Sequence, residues 1–502
     1  FSRRDFIKVA GTTAGVAVAA GYSPFSYAQN EKVHVACIGT GGQGGFHIRH
    51  GLNQNPDMEI VAVCDVYKPH LEAAWGLASG AADNDGKPQR EVKQYMDYRK
   101  LLDEMGNDID AVVIATPLHQ HYHIVMDCLD AGKHVFCEKT LAYDLEQVRN
   151  LVTKTHDSGK ILQVGHQRRY NPEYNKCVWL ARGSGERASE VGRINHVSAH
   201  WHRNNDWRRP VPQDYVLSEE EKQWIDDLEK HINWRLYKDR SRGGLITELA
   251  THQLDIANWF LGSMPSRVTA YGGIDYWRDG RDVHDNIVMI YEYDIERTDP
   301  SFAVIPPRNS EQRRAELGRP YTVRFTYASI CANAYREYGE WIHGDRGSFL
   351  TTEQKGCMFY PEPAAAGGKW NVDVDTSANA TDAAKAITSG ETREFKPEDF
   401  LGMKVNVFDD TKKLFDNPAV VDRMQFTAFA NDIRNGGTPK ANQIVGLMSA
   451  VCGFAAIESM DRGGVTVDIN PADYAFDFET PDPFRFDFFE DPKFVNKEQA
   501  GA

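Results

Sequence analysis

Gly39-Thr40-Gly41-Gly42-Gln43-Gly44 is a GxGxxG turn, and the residues beyond it suggest what it holds. Glycines at 39, 41 and 44, with Gly42 and Gln43 between them, let a backbone turn tightly and approach a diphosphate, while the helix expected to open there offers unpaired N–H groups. Asp65 follows about twenty residues after the last of these glycines, where an acidic side chain accepts hydrogen bonds from ribose hydroxyls. An Asp there repels a 2′-phosphate and favours NAD, although nearby Lys68 works the other way and keeps NADP open. A second constellation is Glu248 and His252, four residues apart after the Gly243-Gly244 pair. On a helix they share one face, so the carboxylate can fix the imidazole tautomer for proton transfer. The bland alternative is an exposed Glu/His helix pair.

Other residue types fit a polyhydroxylated ligand. Arg203, Asn204 and Trp207, with the Arg240-Ser241-Arg242 run, bring donors and flat apolar faces suited to sugar rings; a surface loop with tryptophans packed beneath it accounts for them equally well. Arg169, Tyr170 and Asp255 extend the candidate substrate residues. His119, His121 and His123 stand close together on a turn that enters a helix, with no Cys or carboxylate beside them, so no metal site is expected.

The elements that must position these groups alternate. Val33 to Gly39, Glu59 to Cys64, Ala111 to Ala115, His134 to Cys137 and Ile161 to Gly165 read as buried strands with helices between them. That alternation predicts an α/β unit over 31–165, a doubly wound parallel sheet of Rossmann type. Strand-like segments without intervening helices then predict an α+β unit over 166–470 with a largely antiparallel sheet and inserted loops near 301–320 and 361–392. An acidic, aromatic tail over 471–502 is too apolar to float free and is expected to strap onto this subunit or a neighbour.

Composition narrows the class. The formal net charge of −15 argues against nucleic acid as a partner. The eight cysteines are scattered, with Cys37, Cys64 and Cys137 in apolar runs, so no disulfide framework is expected. Ser2-Arg3-Arg4-Asp5-Phe6, an apolar stretch and Ser26-Tyr27-Ala28 resemble a twin-arginine export signal over 1–28, implying a periplasmic or other extracytoplasmic protein that crosses already folded. No further long apolar run is expected, hence no membrane span.

Together the GxGxxG turn, Asp65, Thr116-Pro117 with His121, Glu138-Lys139-Thr140 and Glu248-x-x-x-His252 resemble the glucose-fructose oxidoreductase/inositol dehydrogenase family, Gfo/Idh/MocA. The resemblance runs from about residue 31 to 352 and over the final helices. It implies that Lys139 and His252 are catalytic with Glu248 beside them, and that Thr116, Pro117, His121 and Glu138 line the cofactor site. It also implies a homo-oligomer built through the second unit's open sheet. Lys139 follows a strand's carboxyl end, where ligands of open α/β sheets sit. The expected function is NAD(P)-dependent oxidation of a hydroxyl on a sugar, polyol or glycoside. Because an exported protein is cut off from cytoplasmic NAD, a tightly bound cofactor is expected. That leaves a redox-neutral enzyme open, either an NAD-dependent glycosidase or eliminase or a sugar–sugar oxidoreductase. A non-catalytic sugar-binding scaffold on the same fold stays open too.

Overall fold

The computed structural model describes residues 32–183, 189–295, 320–352, 356–361 and 418–486. The expected leader, nearly all of the two inserted loops and the tail past 486 lie outside the described residues.

Six strands, β1 (Val33–Ile38), β2 (Met58–Cys64), β3 (Lys93–Tyr95), β4 (Ala111–Ile114), β5 (His134–Cys137) and β6 (Leu162–Val164), make one sheet in the order β3-β2-β1-β4-β5-β6. Every neighbouring pair is parallel. β4 is buried at all four positions and β1 at all but His34, the continuous apolar run of strands covered on both faces. β3 was not expected: it is a short edge strand of polar, mostly exposed residues, which leaves no apolar run to read. Strand order reverses between β1 and β4, so a crevice opens at their carboxyl ends. The helices of this unit are α1 (Gly42–Phe46), which runs on through π-type turns to Leu52, α2 (Lys68–Ser79), α3 (Tyr98–Met105), α4 (His121–Asp130) and α5 (Leu145–Ser158).

The second sheet has eight strands, β7 (Ile194–His202), β8 (Arg267–Gly273), β9 (Asn286–Ile295), β10 (Tyr321–Ile330), β11 (Tyr338–Gly344), β12 (Gly347–Thr352), β13 (Gly356–Pro361) and β14 (Val467–Asp468). Their order is β13-β12-β11-β7-β10-β9-β8-β14. Only β7 and β10 run parallel, so the largely antiparallel expectation holds. β9 alternates strictly, with Ile287, Met289, Tyr291, Tyr293 and Ile295 inward and Val288 and Ile290 exposed. Helices α6 (Pro172–Arg182) and α7 (Thr251–Leu261) share an apolar core with that inner face.

Two C-terminal helices join the units. α8 (Pro418–Asn435) lays Phe426, Phe429 and Ile433 against Phe136 and Ile48 of the first unit. α9 (Gln443–Asp461) packs against β8, α5 and α7. It corrects the expectation that no second long apolar run exists: its mean hydropathy reaches 1.5, enough by length and composition to span a bilayer. Burial between the two units, rather than lipid, accounts for that apolarity, because a core helix must be apolar all round.

The disulfide expectation is corrected as well, since Cys177 on α6 is disulfide-bonded. Scattered spacing hides a bond that only tertiary packing brings about. Cys37, Cys64, Cys128, Cys137, Cys331 and Cys452 are free and buried. The start of the tail straps onto this same chain: Arg149 donates to the carbonyls of Ala472 and Asp473 at 2.8 and 2.7 Å, and Phe478 stacks on His156.

Candidate active site

The glycine turn is built as its chemistry requires. Gly39 has φ +80°, and a Cβ there would sit 2.6 Å from the Thr116 backbone nitrogen. A Cβ on Gly44 would collide with the Gly39 carbonyl oxygen, so this glycine sets the close packing of helix on strand. Asp65 lies at the end of β2, buried. Its Oδ2 accepts from Thr40 N at 2.7 Å and its Oδ1 from Tyr67 N at 2.9 Å. A carboxylate has about four acceptor sites, so capacity remains for ribose hydroxyls.

A cleft of about 730 Å³ opens from this turn between the two units, within the range of cofactor sites. Gly39, Gly41, Gly42, Gln43, Asp65, Thr116, Pro117, His121 and Glu138 all line it, and so do Lys139, Glu248 and His252. The glycine cradle, Asp65 and the volume fit a dinucleotide.

Lys139 follows β5, with its Nζ donating to the Glu248 carbonyl at 3.1 Å and lying 3.7 Å from Oε2 of the same residue. The Lys139–Thr140 peptide is cis. His252, at the start of α7, is buried; that burial, with Arg168, Lys139 and His166 close by, holds its pKa well below the ordinary histidine value. Its ring is therefore neutral at pH 7, and its Nδ1 has no hydrogen-bond partner. The expected Glu248–His252 contact is not made. Ile246–Ala250 form π-type turns before α7 begins, and the wider turn takes position 248 off the face of 252. Glu248 instead accepts from Arg235 Nε at 2.8 Å.

Glu138 belongs to a network that no local motif announces. His47 donates from Nδ1 toward Asp422 at 2.7 Å and from Nε2 toward Glu138 at 2.9 Å. Burial alone would lower its pKa, yet the two carboxylates, Asp422 foremost, outweigh that and push it up to about 10. Glu138 Oε2 also accepts from Lys139 N at 3.1 Å, so the chain of contacts reaches the backbone of Lys139.

Residues 33–166 match the family described as oxidoreductase, NAD-binding Rossmann fold, and residues 190–469 its C-terminal alpha/beta domain. The chain belongs to the Gfo/Idh/MocA oxidoreductase family. Among curated relatives, it is 31% identical to an inositol 2-dehydrogenase of Rubrobacter xylanophilus over 38% of this chain and 49% of that protein. It is 27% identical to one of Rhizobium meliloti over 48% of this chain and 59% of that protein. The chain thus matches about half to three-fifths of these relatives' length. A levoglucosan dehydrogenase solved with NADH has the same fold, with a TM-score of 0.58 and 18% identity over 88% of this chain and all of that one. An oxidoreductase domain protein from Kribbella flavida gives the same TM-score, 0.58, at 18% identity over 88% of this chain and 100% of that one.

In this Gfo/Idh/MocA member the candidate substrate residues divide. Trp207 lines the cleft, joined by Trp201, Trp224, Trp234, Arg209, Arg235 and Arg240. Arg203 stacks on Trp207 at 4.4 Å but is absent from the wall, and Asn204 is exposed, bridged to Ala332. Arg169 is buried against Asp255, with Nε 3.0 Å from each carboxylate oxygen and Nη2 2.7 Å from Oδ1. Tyr170 is buried beside it and accepts from Ala441 N at 3.3 Å. Those three make contacts inside the second unit and do not line the cleft. His119 accepts from Arg240 at 3.1 Å, and burial with that guanidinium lowers its pKa to about 4. His121 sits between the Thr140 and Thr116 carbonyls, at 2.9 and 3.0 Å. Among the described residues no three His, Cys, Asp or Glu converge as metal ligands.

Arg209, Trp224, Trp234 and Arg235 were not foreseen. A signal for three of them was present in the Trp-Arg runs Trp207-Arg208-Arg209 and Trp234-Arg235, each near an Asn, whereas Trp224 stands in no such run.

Proposed function

We propose that this protein oxidises a secondary hydroxyl of a sugar, cyclitol or glycoside with NAD that stays tightly bound. The observation that carries the reading is that Lys139 and a neutral His252 line the same cleft as the glycine turn and Asp65. When bound, NAD supplies the hydride acceptor. His252, unprotonated and lining the cleft, takes the hydroxyl proton. Lys139 Nζ, steadied by Glu248, donates to the substrate oxygen as negative charge gathers there. Arg235 fixes Glu248, and the indoles of Trp201, Trp207 and Trp234 offer faces for the ring. The relatives named above, inositol and levoglucosan dehydrogenases, support a cyclic polyol as the substrate class.

A redox-neutral reaction on the same residues, with hydride borrowed and returned, is the second reading. The Arg3-Arg4 leader and the disulfide at Cys177 favour it, since both fit an oxidising, extracytoplasmic compartment without free NAD. Self-association through the second sheet is part of the proposal, supported by Tyr271, Val288 and Ile290 on its exposed face.

The test is to denature purified protein, assay released NAD(H), and screen cyclitols, anhydrosugars and glycosides by mass spectrometry. Oxidised product at steady state with added NAD supports the dehydrogenase. Retained dinucleotide with cleaved or rearranged product supports the redox-neutral enzyme. A protein that contains no dinucleotide and binds none refutes both and leaves a scaffold.

A further inference from the structure

Residues 203–241 cross the cleft mouth with only short helical turns, tied to both units. On the second unit, Arg208 and Arg281 pair with Asp279 at 3.3 and 2.6 Å. On the first, Glu221, 1% exposed, accepts from Lys68 N at 3.1 Å, from Tyr215 Oη at 2.6 Å and from Ser218 N at 2.7 Å. The Tyr215 ring meets Tyr67 edge-on at 5.1 Å, two residues after Asp65 in the chain. Arg240, at the other end of the segment, reaches His119.

Arg209 lies in the middle of this segment. Asn233 holds its backbone from both sides, accepting from Arg209 N at 2.7 Å and donating to Arg209 O at 3.1 Å. Its guanidinium lies against the glycine turn: Nη2 and Nη1 stand 2.7 and 2.8 Å from where a Cβ on Gly42 would be. Two other guanidiniums of the wall are paired, Arg235 with Glu248 and Arg240 with Asp226. Arg209 is exposed at the cleft mouth and has no ion-pair or side-chain hydrogen-bond partner among the described residues; partial desolvation and then Arg235 lower its pKa, while Glu248 acts the other way. With Arg235 neutralised by Glu248, Arg209 is left as an unpaired cation facing the glycine turn, an arrangement that an anion standing between them would complete.

We propose that Arg209 binds the cofactor diphosphate from the side opposite the glycine turn, and that the 203–241 segment, latched by Glu221, retains the dinucleotide between the units. This rests on the reading of the cleft as an NAD site. A guanidinium fork matches two phosphate oxygens at once, and its flexible end has only to swing off Gly42 as the diphosphate enters. Release then requires the Glu221 contacts at Tyr67-Lys68 to open.

The test is displacement of NADH from the full-length protein by excess NAD, followed by loss of energy transfer from the cleft tryptophans. Losing one charge-assisted contact is expected to speed NADH release from Arg209→Gln about 10- to 100-fold, ~1.4 to 2.8 kcal/mol. Adenosine, which lacks the diphosphate, should bind as in wild type, and Arg209→Lys should recover part of the retention. Glu221→Gln should also speed NADH release. Wild-type release from Arg209→Gln, or adenosine weakened as much as NADH, would overturn the proposal. A wild-type protein that binds no NADH defeats instead the reading of the cleft.

Discussion

Asp422→Asn removes one of the two carboxylates flanking the buried imidazole of His47, and its effect on stability should change with pH in a fixed direction. In the folded chain His47 is 1% exposed and its pKa is pushed up to about 10, Asp422 and then Glu138 outweighing burial. Unfolded, it titrates near 6.5, so between roughly pH 6.5 and 10 the folded state holds the extra proton. Its contribution to stability is therefore complete below about pH 6.5 and is lost at up to about 1.4 kcal/mol per pH unit as pH rises toward 10. Asparagine keeps the shape and removes the charge, leaving Glu138 as the sole counter-ion. Breaking a buried ionic contact costs about 3–5 kcal/mol, and the surviving carboxylate places the loss near the lower figure, about 3 kcal/mol at about pH 6. Urea unfolding of both proteins at about pH 6 and about pH 9 measures it; the gap should narrow at the higher pH. A gap of equal size at both values, or none at either, would refute the idea that a charged His47 links α8 to Glu138.

Other outcomes follow from the cleft. Lys139→Ala should lower kcat by about 10²–10⁴ while leaving the dinucleotide bound, checked by turnover and by cofactor release on denaturation. Gly44→Ala should lose NADH binding, seen by fluorescence titration, because its Cβ would meet the Gly39 carbonyl. Since His252 is held well below the ordinary histidine pKa, kcat/KM should stay level as pH falls through about 6.5 and drop only in more acid solution. A fall centred on the ordinary value would remove His252 as the base. Cys177→Ser should cost about 2–5 kcal/mol in urea unfolding, and equal midpoints would contradict a structural role for the disulfide.

Legibility in the sequence tracked distance along the chain. The GxGxxG turn, Asp65 and Lys139 each lie at a strand end or a short spacing, and they meet in the cleft as their positions suggest. The two sheets were legible because β4 reads as a solid apolar run and β9 alternates. Glu248 misled because spacing of four assumes an α-helix, and π-type turns occupy Ile246–Ala250. Arg169 and Asp255 misled for another reason: donors and acceptors that suit a sugar also suit each other, and only burial shows that they are already paired. His47 and Asp422, 375 residues apart, carry no local pattern. Arg209 is recognisable only once the segment that bears it is seen lying on Gly42.

The central claim is that Lys139 and His252 act together on the substrate hydroxyl beside the bound dinucleotide. The direct measurement is a single-turnover experiment, following reduction of bound NAD when a hydroxyl substrate from the screen is mixed with wild type, Lys139→Ala and His252→Ala. Equal cofactor occupancy in all three, with reduction in wild type alone, is the predicted result. Reduction in both variants at the wild-type rate would contradict the account.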